Sequence, residues 1–142
     1  STIGKDARFV RAKLAEAYLR AGEPEAAQRL FDELAGSADT GESDIDVALG
    51  RAEAQFQQGQ FAEALPAFAK LATTLPAESP RRWKALLRDL QCRTRLGQPA
   101  LGVLKVLSQQ KFLFPQMGGE EFAGHFEALR LENEKRRAAE SP

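Results

Sequence analysis

Three glycines, Gly22, Gly59 and Gly97, recur at intervals of 37 and 38 residues, each between two runs that favour helix. The stretch "AYLRAGEPEAAQRLFDEL" (17–34) is echoed by "AQFQQGQFAEALPAFAKL" (54–71) and, more faintly, by "CRTRLGQPALGVLKVLSQ" (92–109). A period of this length is the mark of stacked supersecondary units, none of which can bury its apolar face alone. Such a chain presents a surface to its surroundings rather than an enclosed pocket.

The repeat sits in a chain of 142 residues, enough for one domain over 1–142 with a continuous apolar core. Hydrophobic residues make up 43% and charged residues 28%, which is a globular rather than a disordered balance. Ala, Leu, Glu, Arg and Gln dominate while β-branched residues are scarce, so helix is favoured over sheet. No apolar run approaches the ~18–20 residues that cross a bilayer. That predicts a soluble chain without direct membrane insertion, cytoplasmic or periplasmic. Starting at Ser1 with Met117 as its one methionine, the sequence reads as an excised fragment or processed product.

Columns of the repeat predict how the helices meet. Ala27 and Ala64 align with Gly102, Phe31 and Phe68 with Val106, and Ala17 and Ala54 with Cys92. Small residues in facing helices permit close approach, and an aromatic one turn later fills the space beyond. Cys92 reads as a small core residue, and a lone cysteine excludes an internal disulfide. Periodicity predicts helices at about 5–21, 24–36, 44–58, 61–75, 80–96, 99–111 and 119–138. The first carries apolar Phe9, Ala12, Leu14, Ala17 and Tyr18. Pro24 suits a first helical turn, and Ser79-Pro80 reads as an N-cap followed by the first helical position. "GSADTGESD" (36–44) reads as a turn-rich loop.

"ALGVLKVL" (100–107) is apolar on nearly every side, as a buried strand would be, but the repeat register favours a helix covered on both faces. The last helix, with Phe122, Phe126 and Leu129 at helical spacing, is the expected cover, after a "FLFPQMGG" elbow (112–119). Its charged end, "ENEKRRAAE", is expected to be solvated, as a capping helix requires.

These residues resemble the tetratricopeptide repeat family. The first copy carries Leu14, Ala15, Tyr18, Gly22, Ala27 and Phe31; the second carries Ala52, Gly59, Phe61, Ala64, Phe68 and Pro76 but has Gln55 where the family prefers tyrosine. The third keeps Leu86 and Gly97 and departs at Arg93 and Gly102. The resemblance implies an all-α fold, a right-handed α-α superhelix of about seven antiparallel helices. Repeats would span about 8–41, 45–78 and 80–115, with a capping helix at 119–138. It implies a non-catalytic interaction scaffold within a larger protein or complex, holding a segment of another protein on its concave face. Inward candidates are Phe9, Ala12, Lys13, Glu16 and Arg20 in the first copy, and Asp46, Leu49, Glu53, Phe56 and Gln57 in the second. In the third they are Lys84, Leu87, Arg88, Gln91 and Arg95. Phe9, Leu49, Phe56 and Leu87 would form an apolar groove, or simply pack between helices. Chaperone-binding relatives clamp a carboxylate with Lys, Asn and Arg. Ala12, Glu16 and Gly50 stand at the corresponding places, so that role is not expected.

No reactive constellation competes with this reading. His125 stands without Cys or a second His, which leaves no metal set, and "MGGEE" lacks the Lys-Ser/Thr of a phosphate loop. Neither a cofactor nor a catalytic group is expected. Net charge is zero, yet residues 81–111 carry eight Lys/Arg against Asp89 alone. Lys84, Arg88 and Arg95 share one helix face, which would either attract an acidic peptide or phosphate backbone or serve as a solvated surface. Nucleic-acid binding through 81–95 is an alternative, weakened by the zero net charge and few exposed aromatics. Self-association into a homo-oligomer through the edge of the solenoid is another.

Overall fold

A computed structural model describes residues 2–36 and 42–140; most of the loop expected at 36–44 lies outside them. The described residues form seven helices and no strand: α1 (Thr2–Arg20), α2 (Pro24–Ala35), α3 (Glu42–Gln57), α4 (Phe61–Thr74), α5 (Pro80–Arg95), α6 (Ala100–Leu113) and α7 (Glu120–Glu140). The fold is an all-α helical repeat.

The periodic glycines have a common backbone. Gly22, Gly59 and Gly97 adopt φ of 76°, 77° and 76°, a left-handed conformation that strains any residue with a Cβ. At each turn the N–H of the next residue reaches back to the carbonyl five positions earlier: Glu23 to Tyr18 (2.9 Å), Gln60 to Gln55 (2.9 Å) and Gln98 to Arg93 (3.0 Å). The glycine N–H bonds a carbonyl three positions back at all three turns. These paired bonds satisfy carbonyls that a helix end leaves open, so each turn also caps α1, α3 or α5.

The chain divides into two compact units, Ser1–Ala67 and Phe68–Pro142, with the division inside α4 just after Pro66. The first unit packs α2 against both α1 and α3. Its core is Ala15, Ala27, Phe31, Leu34, Val47 and Ala54, flanked by Ala12, Tyr18, Leu19 and Leu30. Small residues bring the helices close, and Phe31 occupies the space that Gly50 leaves. A Cβ at position 50 would lie 2.2 Å from the Phe31 ring. Arg8 donates to the Leu34 carbonyl (2.9 Å), near the open C-terminal end of α2. Ala17, expected to sit at a close helix contact as Ala54 does, is instead exposed, and so is Leu14. The apolar stripe of α1 is wider than the face that α2 covers.

In the second unit α5, α6 and α7 pack against one another. Trp83 is central, edge-on to Phe114 and Phe126 at 5.5 and 5.9 Å, its indole N–H donating to the Ala77 carbonyl (2.7 Å). The elbow turns close beneath it, with Met117, Gly118 and Gly119 all at positive φ; a Cβ on Gly118 would lie 2.8 Å from the indole. Ser79 holds the N-cap position with Pro80 following, but its side chain makes no capping bond.

Two sequence expectations fail in this unit. α6 starts three residues after its turn glycine, whereas α2 and α4 start two after theirs. One residue is about 100° of helix, so the buried face passes to Ala100, Val103, Leu104 and Leu107 while Gly102 is exposed. Gly102 therefore does not take the place of Ala27 and Ala64. Nor is α6 covered on both faces, since Leu101, Phe112 and Leu113 remain exposed. The charged end of α7 is largely solvated, as expected, with one buried exception. Asn133 is fully buried, donating to Thr94 Oγ1 (3.1 Å) and the Leu129 carbonyl (2.9 Å) and accepting from Arg136 (2.6 Å). Arg136 also donates to the Gln98 carbonyl, and the Glu140 carboxylate accepts from the Ala100 N–H (3.2 Å) at the start of α6. The polar half of α7 is thus bonded to the third hairpin's turn, because that turn and the α6 N-terminus offer backbone groups needing partners.

Candidate functional site

In the first unit the candidate residues of α1 lie along one exposed side. Phe9, Lys13, Glu16 and Arg20 recur at helical spacing; Phe9 is 63% exposed, with the Lys13 ammonium 5.4 Å from its ring centre. Lys13 also pairs with Glu16 at 3.3 Å. A large aromatic left in water beside a cation offers a partner both apolar area and charge. Ala12 instead packs towards the core.

α3, which packs beside α1, contributes a drier set. Asp46 is exposed, Leu49 half-buried and Gln57 exposed. Phe56 is half-buried, edge-on to Phe61 at 5.3 Å, which anchors its ring to the start of α4. Glu53 is a buried residue whose carboxylate accepts from Gln57 (3.2 Å). Its carboxylate is therefore committed to an internal bond, and Gln57 is the better placed to meet a partner.

The α5 candidates belong to the second unit. Leu87 is a core residue at 4% exposure and takes no part in a groove. Arg88 donates to Gln91 (2.8 Å), and Arg95 pairs with Glu132 of α7 (3.2 Å). Arg81, Lys84 and Arg88 each have further interactions. The basic stripe is thus largely engaged within the protein. Beside it Asp89 is buried, which raises its carboxyl above the ordinary range against the opposing pull of Arg93 at 2.6 Å.

Arg82 is a residue that the sequence did not single out. It is buried, donates to the Ala72 carbonyl (3.2 Å) near the end of α4, and stacks 4.6 Å from the Trp83 ring and 5.7 Å from that of Phe114. Burial lowers its pKa, and the aromatic faces and helix carbonyl offset part of that cost. The "RRW" sequence alone does not distinguish Arg82 from Arg81, since only the helix register decides which one turns inward. An open groove of about 490 Å³ lies along Leu107, Met117 and Phe126, rimmed by Lys111, Glu127 and Arg130. Glu127 and Arg130 pair across 2.6 Å; their hydrogen bond lowers the carboxyl's pKa and raises the guanidinium's. Cys92 is buried, as expected of a core residue, and His125 is exposed on α7. Among the described residues no group of His, Cys, Asp or Glu is arranged to hold a metal, and no helix is long and apolar enough to cross a membrane.

Helical hairpins with close helix contacts and capped left-handed turns define a helical-repeat protein. The tetratricopeptide repeat model matches residues 9–33 and 46–70, the first running from α1 into α2 and the second from α3 into α4. Those two matches support a tetratricopeptide repeat assignment for the first two hairpins. The family is in general a non-catalytic repeat fold whose domains bind other proteins or peptides. No curated protein and no solved structure matches the chain.

Proposed function

We propose that this protein is an interaction scaffold that holds a segment of another protein along the side of α1 and α3 bearing Phe9, Lys13, Leu49, Phe56 and Gln57. The observation that carries it is the exposure of Phe9 beneath Lys13, next to a helix whose Leu49 and Phe56 are only half-buried. A full-size aromatic kept in water forgoes ~2 kcal/mol of burial, which a peptide laid across the two helices recovers. Glu16 and Asp46 at the margins disfavour an acidic peptide there and suit one with basic flanks. The basic side of α5, with Lys84, Arg88, Gln91 and Arg95, is engaged within the second unit, Arg88 with Gln91 and Arg95 with Glu132. Their internal partners favour this protein-binding role over a nucleic-acid one, because phosphate binding would have to displace those bonds.

Selection of binders from a random peptide display library against the full chain tests the reading. Selected peptides should lose about tenfold or more in affinity against Phe9→Glu and Phe56→Ala, as expected for aromatic anchors. Peptides whose binding is indifferent to both variants sink the proposal.

A further inference from the structure

The outer side of α6 and the groove that α6 shares with α7 lie in the second unit and take no part in the peptide site of the first. Leu101, Lys105, Ser108 and Phe112 recur at helical spacing and form one stripe along α6. All four are exposed, Phe112 at 85%. Beside Phe112, Lys111 rims the groove of about 490 Å³ whose floor is Leu107, Met117 and Phe126. On the α7 wall of that groove, a Cβ added at Gly124 would meet nothing within 4 Å, so a partner's side chain has room there. What fits between two helices is a third: in the first unit α2 packs against both α1 and α3.

The charge on this surface has one sign. Residues 90–119 contain four Lys/Arg and no Asp or Glu. Arg93 and Arg95 are paired with Asp89 and Glu132, but among the described residues no ion pair engages Lys105 or Lys111. Lys111 donates to the Pro115 carbonyl (3.1 Å) and acts on Glu127 only from beyond ion-pair distance. Glu127, the carboxylate on the rim, is itself held by Arg130 (2.6 Å).

We infer that the outer side of α6 and this groove dock an amphipathic helix of another protein, its apolar stripe laid on Phe112, Leu107 and Phe126 and its flanks carrying Asp or Glu toward Lys105 and Lys111. Charge decides against a second copy. The other exposed apolar stripe among the described residues, Phe9, Val10 and Leu14 on α1, is flanked by exposed Arg11 and Lys13. The α6 of a second copy would set Lys105 and Lys111 against their duplicates. Either pairing brings cation to cation where water is being excluded. An anionic lipid surface would meet Phe112 but not the floor of the groove, so Gly124 separates that occupant from a helix.

The test selects from a display library of helical peptides with leucines fixed at i, i+4, i+7 and i+11 and the flanking positions randomised. Helices enriched on the full chain should carry an excess of Asp and Glu at their flanks, and their affinity should fall with added salt. Measured by fluorescence anisotropy, it should also fall about tenfold against Phe112→Ala, Lys111→Glu and Gly124→Leu, while thermal melting changes little because all three positions are exposed. Phe9→Glu should leave it intact, which keeps this surface distinct from the α1–α3 side. Enriched helices without an acidic excess, or indifferent to Phe112→Ala and Gly124→Leu, overturn the inference. So do vesicles of phosphatidylserine and phosphatidylcholine that bind the chain through Phe112 and ignore Gly124→Leu, and a dimer in sedimentation equilibrium that Phe112→Ala dissolves. A longer product of the same gene in which hydrogen exchange finds the outer side of α6 covered by its own added segment overturns it as well.

Discussion

The two units solve the same packing problem with different chemistry. In Ser1–Ala67 the helices are joined by shape: alanines at the contacts, and one aromatic, Phe31, set against Gly50. In Phe68–Pro142 the apolar core is threaded with buried polar groups, Arg82, Asp89, Thr94 and Asn133, each tied to a neighbour. Shape-based packing tolerates little change in volume but leaves the outer face of α1 bare. Polar packing brings α7 across α5 and α6 and satisfies their ends. The first unit leaves Phe9, Val10 and Leu14 of α1 exposed, and the second, even with α7 in place, leaves Leu101, Phe112 and Leu113 of α6 exposed.

Three substitutions probe that contrast in descending order of effect. Phe31→Ala should cost about 3–5 kcal/mol, the range for removing a buried aromatic, because Gly50 cannot fill the void. Urea unfolding should report the loss, and hydrogen exchange should rise first among α1, α2 and α3 amides. Exchange rising only in α5–α7 would refute the assignment of Phe31 to the first unit's core. Asn133→Ala should cost about 1–3 kcal/mol by leaving buried hydrogen-bonding groups unpaired, with increased exchange in α6 and α7. A cost within about 0.5 kcal/mol, the ordinary range for surface substitutions, would mean that α7 is held by its phenylalanines alone.

Asp89→Asn should be the smallest. Because burial raises the folded-state pKa of Asp89, its contribution is fully present below the unfolded value near 3.8 and is lost as pH rises through the raised value. The asparagine variant should lack that fall. At neutral pH it should lie within about 1 kcal/mol of the parent, since an i,i+4 ion pair contributes only about 0.3–0.5 kcal/mol. Stability measured across the acid range checks the sign. A fall of equal size in both proteins would assign it to another carboxylate.

Much of this architecture was legible in order of residues alone. The helix count, the three turns and the roles of Ala27, Phe31, Ala64 and Phe68 follow from local periodicity, because turn glycines and small-aromatic spacing act within one hairpin. The candidate surface was legible in part. Phe9 stands in the open as its position on α1 suggested, whereas Leu87 is interior, and the two look alike as isolated apolar residues on first helices. Arg82 and Asn133 carried no sequence signal of burial. Charged and amide side chains read as surface residues until a specific carbonyl or hydroxyl comes within reach.

The sequence by itself determined the repeating helical hairpins, since backbone conformation at Gly22, Gly59 and Gly97 and apolar spacing between them are set by near neighbours. Tertiary structure decided the rest. It turned α6 by one residue, drew the charged end of α7 onto the third hairpin's turn, and left Val10, Leu14 and Ala17 uncovered. Each outcome depends on which helix arrives at a given face, and burial is a property of that pairing rather than of the residue.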